Sequence, residues 1–318
     1  MVERPALRVV FFGTPEFAVP TVDALLRSPH SVVGVITQPD RPRGRGQKTS
    51  DAPVKVRAVA AGVPVLQPAT LKDEIFLQQL RSLHADLGVV AAYGKILTDA
   101  VLDLPRLGLI NVHASLLPRH RGAAPVHRAI IAGDRETGVT IMRVVKALDA
   151  GPMLAAAKRP IEPDDTSDIV ERDLARLGAQ LLAATVDDLA AGRAHETPQD
   201  DAEATYAPRL KKEDGLVDWA VPAERIHNLI RGLHPWPHAF TFLDGNRLIL
   251  LRSSPSADAH TEAPGTILEA EGDRLIVAAG EGTVRLQQIQ VEGKRAMAPR
   301  DFLAGHRVAR GNRFITGR

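Results

Sequence analysis

The chain has no cysteine. That absence removes disulfide staples, thiolate zinc sites and a cysteine nucleophile together, and it fits a reducing compartment. Aromatic residues are scarce at 4%, so Ala, Val and Leu must build most of the core. No apolar run approaches the roughly 20 residues of a membrane span. The run that follows the N-terminus, Val9-Val10-Phe11-Phe12, is also too short for a secretory signal. The expectation is a cytoplasmic protein with no membrane attachment. A strong overall charge is missing as well, since the net is only +2. Its distribution is uneven, however: residues 209–318 carry 16 Lys/Arg against 13 Asp/Glu, and residues 274–318 carry 9 against 3. A basic surface of that kind attracts a polyanion such as nucleic acid, although an ordinary solvated surface would read the same way.

What is present is ordinary for a globular chain: 44% apolar and 25% charged residues over 318 positions, enough for two domains. The first two hundred residues alternate between strand and helix signals. Strands are expected at 8–12, 31–37, 87–92, 109–112 and 137–145. Helices are expected at 15–27, 54–61, 73–83, 125–132 and 167–191. Short, fully apolar strands separated by helices predict an α/β fold, a doubly wound and mostly parallel sheet covered on both faces. Residues 193–208 are polar and without a period, so they read as a linker between a domain at 1–192 and another at 209–318. After a helix at 223–233, short strand signals follow at 239–243, 247–252, 265–269, 274–278 and 283–290, divided by Gly-containing turns. That pattern predicts a smaller C-terminal β-barrel of OB-like type.

In an open parallel sheet the active site lies beyond the carboxyl ends of the strands. Gly108-Leu-Ile-Asn111-Val-His113-Ala-Ser115-Leu-Leu-Pro118 fits that place. The two-residue period of a strand puts Asn111 and His113 on one face. An amide donor beside an imidazole suits acyl-type transfer, where a carbonyl oxygen gains charge and a proton must move. The alternative is a hydrogen-bonded histidine closing a strand. Asp149 enters a turn after a strand and is either a turn former or the carboxylate that orients His113. Ser115 lacks the Gly-x-Ser-x-Gly surroundings of a nucleophile. His113, His120 and His127 fall seven apart, which is no standard metal spacing. Gly13-Thr-Pro15-Glu-Phe17 lacks G-x-G-x-x-G. The loop from Gln38 to Lys48 has four cations in eight positions, Arg41, Arg43, Arg45 and Lys48, and no apolar anchor. It reads as a mobile segment that phosphates could order, or as a solvated loop.

Taken together, Asn111-Val-His113, Ser115-Leu-Leu-Pro118, Arg121-Gly-Ala-Ala-Pro125 and Leu148-Asp149-Ala-Gly151 resemble the folate-dependent formyltransferases. Phe12-Gly-Thr-Pro15-Glu-Phe17, the arginine loop and Asn228-Leu-Ile-Arg231-Gly-Leu-His-Pro235-Trp236-Pro237 extend the resemblance over nearly the whole chain. The resemblance implies 10-formyltetrahydrofolate as co-substrate, with no metal, and methionyl-initiator tRNA as the acceptor. It implies Asn111, His113 and Asp149 as a catalytic trio, with protonated His113 and Asn111 stabilising the oxyanion. Ser115, Leu116, Leu117 and Pro118 would line the folate site, and Ala92, Tyr93 and Gly94 would border the pterin. Arg41, Arg43, Arg45 and Lys48 would meet the acceptor stem. Ala147, Ala150 and Arg43 depart from the family pattern. Enzymes of this chemistry acting on a glycinamide nucleotide or an amino-sugar nucleotide are rivals, as is a non-catalytic tRNA-binding protein. A monomer is expected.

Overall fold

The computed structural model describes residues 6–43 and 48–315. By its internal contacts the chain forms two compact units. The first comprises Met1–Pro125, Glu136–Pro160 and Glu171–Ala207, and the second Val126–Arg135, Ile161–Val170 and Pro208–Arg318.

The first unit is organised on a seven-stranded sheet: β1 (Arg8–Gly13), β2 (Ser31–Ile36), β3 (Val65–Leu66), β4 (Leu87–Ala91), β5 (Leu109–His113), β6 (Glu136–Arg143) and β7 (Met153–Pro160). Their order across the sheet is β7-β6-β5-β4-β1-β2-β3. Strands β1 to β5 pair in parallel, while β5 with β6 and β6 with β7 are antiparallel. Val9, Val10, Phe11 and Phe12 of β1 are fully buried, because helices cover both faces of a central parallel strand.

Two details depart from expectation. Residues 153–160 carry an Ala-rich stretch with no strand period, yet they form the antiparallel edge strand β7. The basic loop is not wholly irregular: Arg41–Arg43 pairs antiparallel with Lys48–Ser50, Arg43 opposite Lys48. Nothing is described of the side chains of Arg41, Arg43 and Lys48, and Arg45 lies outside the described residues.

The helix Ser167–Ala190 shows how β5 is held. Val170, Leu174, Leu182 and Val186 repeat at multiples of four and are fully buried. Gly178 stands in the same row, where a Cβ would lie 2.7 Å from Val112 Cγ1 and 3.2 Å from Val139 Cγ1. The missing side chain lets the helix backbone approach β5 and β6 closely.

The second unit contains a five-stranded antiparallel sheet: β8 (Ala239–Leu243), β9 (Asn246–Ser256), β10 (Ile267–Glu271), β11 (Arg274–Ala278) and β12 (Thr283–Val291), ordered β8-β9-β12-β11-β10. Its core includes Ile226 and Ile230 of the helix Ala223–Gly232, and Trp219 stacks on Phe314 at 5.5 Å between ring centroids. Among the described residues no helix is long and apolar enough to cross a membrane.

Gly178→Val should destabilise the chain by about 1–3 kcal/mol through overpacking against β5. The denaturant midpoint measures this, and an unchanged midpoint would show that the close approach can relax.

Candidate active site

The parallel pairing of β4 with β5 sets Val90 opposite Asn111, so residues 92–94 and 114–118 leave the sheet at the same end. His113 is the last residue of β5 and is only 5% exposed. Its Nε2 lies 3.1 Å from the backbone oxygen of His120. A carbonyl can only accept, so Nε2 carries the hydrogen and Nδ1 keeps the lone pair in the neutral ring. That Nδ1 faces Asp149 Oδ2 at 3.7 Å. The distance exceeds a hydrogen bond, and the two groups form an ion pair only when the ring is protonated.

The loop after β5 folds back to present that carbonyl. Ser115 Oγ donates to Arg119 O at 2.7 Å. Thr140, opposite His113 on β6, donates from Oγ1 to Ser115 O and accepts from Leu117 N. Ser115 and Leu117 are therefore buried scaffold of the turn, while Leu116 and Pro118 are half-buried.

Asp149 sits in a turn with φ +47°, the left-handed region that Asp tolerates better than most residues. Its Oδ2 accepts from Gly122 N at 2.8 Å. Gly122 itself has φ +123°, and a Cβ there would lie 2.7 Å from Ala207 O, in the short parallel pairing of Arg121–Gly122 with Tyr206–Ala207. Glycine is needed for the backbone to come so close.

Burial lowers the His113 pKa from its ordinary 6.5, while the Asp149 carboxylate and the His120 carbonyl oppose the shift. The ring is thus neutral at neutral pH, with an available lone pair beside a carboxylate. That arrangement is a base whose protonated form is stabilised once it forms.

The remaining residues fall as follows. Asn111 is half-buried on the same strand face as His113, one step back from the edge. Ala92 and Gly94 are exposed, with φ +46° and +77°. Tyr93 turns the other way: its ring packs edge-on against Phe12 at 5.6 Å, and burial pushes its hydroxyl up to about 12. Only its backbone reaches the edge, and its carbonyl accepts from Gln38 Nε2 at 2.8 Å. Among the described residues no group of three or more His, Asp or Glu could hold a metal ion. Sequence reasoning missed Gln199, whose Nε2 donates to the backbone oxygens of Asp149 and Gly151 at 2.9 and 2.7 Å. It lies in the polar stretch read as a linker, and no sequence period marks it.

Residues 7–186 match the family profile described as formyl transferase, and residues 209–307 the one described as formyl transferase, C-terminal domain. The chain is 47% identical over 306 residues to the methionyl-tRNA formyltransferase of Geotalea uraniireducens (strain Rf4), spanning 96% of this chain and 97% of that one. It is 48% identical over 306 residues to the methionyl-tRNA formyltransferase of Caldanaerobacter subterraneus subsp. tengcongensis, spanning 96% and 99%. Among solved structures, an N-formyltransferase from Helicobacter canadensis in complex with folinic acid and dTDP-3-aminofucose shares the fold with a TM-score of 0.68 at 16% identity, over 88% of this chain and 99% of that one. Glycinamide ribonucleotide transformylase 1 from Symbiobacterium toebii aligns with a TM-score of 0.52 at 22% identity, over 61% and 95%.

The unfolded imidazole of His113 takes a proton near 6.5 and the folded one only at lower pH. The unfolded state binds more protons in that window, so His113 makes stability fall as pH drops through it. Asp149→Asn removes the charge that opposes the shift and should lower the imidazole pKa further. Proton NMR of the His113 ring checks this, and a raised value in the variant refutes the electrostatic link.

Proposed function

The chain belongs to the formyl transferase family, and we propose that it carries the formyl group of 10-formyltetrahydrofolate to the α-amino group of methionyl-initiator tRNA, giving formylmethionyl-tRNA. The observation that carries the reading is the buried His113 ring at the end of β5, held through Nε2 by the His120 carbonyl with Nδ1 turned to Asp149. In the same reading residues 1–192 are the catalytic domain, 193–208 connect, and 209–318 help hold tRNA. The enzyme acts in the cytoplasm as a monomer.

The residues at the sheet edge fit a folate. Ala92 and Gly94 expose backbone at positive φ. Ile96 stays 89% exposed beside them, and Leu148 is 60% exposed in the Asp149 turn. The Lys146–Asp99 ion pair, 3.0 Å long, ties these two segments together. Exposed apolar side chains next to free-standing backbone suit a flat heteroaromatic ring with polar edges. Leu116 and Pro118, with the backbone around Ser115 and Leu117, would complete the lining.

The folate supplies a formyl carbon open to attack by an amine. The new bond to the amine forms as the bond from that carbon to the folate nitrogen breaks, and that nitrogen takes up a proton as tetrahydrofolate leaves. His113 Nδ1 receives the proton that the amine sheds, and Asp149 stabilises the imidazolium as it appears. Nε2–H stays on the His120 carbonyl, so the ring does not rotate during the transfer. Burial lowers the pKa of the resting ring, which favours a base over the histidine protonated beforehand that the resemblance implied. Asn111 donates from its amide to the formyl oxygen as that oxygen gains charge. Arg41, Arg43, Arg45 and Lys48 take phosphates of the acceptor stem.

His113→Ala should leave folding near normal and lower formylation at least ~10²-fold, the range for a lost acid–base group. The assay offers methionyl-tRNA, unacylated tRNA, glycinamide ribonucleotide and a nucleotide-linked amino sugar with 10-formyltetrahydrofolate. Product on either small amine and none on methionyl-tRNA would reassign the substrate.

Neutralising Arg43 and Arg45 together should weaken tRNA use and flatten its salt dependence, with folate binding unchanged. An unaltered salt slope would move the tRNA contact elsewhere.

A further inference from the structure

The pairing of His113 with Asp149 depends on a turn that does not hold itself. Asp149 lies at φ +47°, a conformation that Asp tolerates better than most L-residues but that its surroundings help to hold. On one side Gly151 presses on β6: a Cβ there would lie 2.0 Å from Arg143 O. On the other side stands Gln199, donating from Nε2 to the backbone oxygens of Asp149 and Gly151 at 2.9 and 2.7 Å. Its Oε1 accepts from Arg121 Nε at 3.0 Å and from Nη2 at 2.8 Å. The same Nη2 donates to Asp201 Oδ1 at 2.7 Å, and Arg121 is only 4% exposed.

The orientation of the amide is therefore fixed. A guanidinium only donates, so it must meet the amide oxygen, and both amide hydrogens are left for the two carbonyls. Arg121 also precedes Gly122, whose N–H holds the Asp149 carboxylate at 2.8 Å. The buried arginine thus braces the Asp149 backbone through Gln199, while the adjacent Gly122 N–H holds its carboxylate. Both side chains are engaged in this network: Arg121 is bound by Gln199 and Asp201, and Gln199 by Arg121 and the two carbonyls.

We infer that Gln199 is a positioning residue for the transfer, clamping the Asp149 turn together with Arg121 so that the carboxylate stays against His113. This rests on His113 and Asp149 being the catalytic pair.

The test uses the full chain with 10-formyltetrahydrofolate and methionyl-tRNA. Gln199→Met keeps the length of the side chain and removes all four hydrogen bonds. It should lower kcat roughly 10- to 100-fold, the effect of a small misplacement in a catalytic group. KM for both substrates should stay within about twofold, because ground-state binding is not what the clamp provides. In an Asp149→Ala background the same change should cost less than about threefold, since a residue acting through Asp149 has nothing left to position. A purely structural glutamine would instead lose its full factor in both backgrounds. Should Gln199→Met not fold, Gln199→Glu carries the comparison: it keeps an acceptor for Arg121 and deprives both carbonyls of donors. Wild-type kcat in the Gln199 variants, with His113→Ala inactive, overturns the clamp alone. Wild-type rate in His113→Ala overturns the catalytic pair and the clamp with it.

Discussion

The hydrogen bond from His113 Nε2 to the His120 carbonyl governs the site. It is one buried bond, with a net worth of about 0.5–1.5 kcal/mol, yet leaving either partner unpaired would cost about 1–3 kcal/mol. Its larger effect is on chemistry, because it decides which ring nitrogen is free. Everything from Ser115 to Gly122 serves to bring that carbonyl back to the strand end. The Ser115–Arg119 bond, the two Thr140 bonds and the left-handed His120 at φ +59° close the loop over β5. A loop that strayed would free the ring to rotate, and Nδ1 would no longer face Asp149.

Two opposing influences then set the state of the ring. Burial disfavours the cation, and the carboxylate 3.7 Å away favours it. Burial dominates, so the buried imidazole takes up a proton less readily than a free one. The carboxylate matters once a proton arrives, and each pKa unit it restores is worth about 1.4 kcal/mol. The contact is longer than a hydrogen bond, so the two groups act on each other through space.

Much of the fold was legible because its signals are local. The apolar run at 8–12 reads as a buried strand, and residues 125–132 show a helical period that the helix Pro125–Ala132 follows. Strand β7 was not legible, since Ala-rich residues favour a helix and only the free edge of β6 makes them extend. Residues 193–208 read as a featureless connection because polar side chains carry no period. In the structure Gln199 bonds the Asp149 turn, and Tyr206–Ala207 pairs with Arg121–Gly122. The direction of the Tyr93 side chain was not legible either: its ring belongs to the core under β1.

By itself the sequence determined the alternation of elements, the strand face shared by Asn111 and His113, and the family to which these residues point. Those follow from backbone periodicity and from residue types at fixed spacing. Only the tertiary structure decided which nitrogen of His113 is free, that Asp149 lies against it, and that Gln199 and Arg121 hold that turn. These contacts join residues 7 to 80 positions apart. Their geometry comes from strand register and loop closure, which no local pattern in the chain encodes.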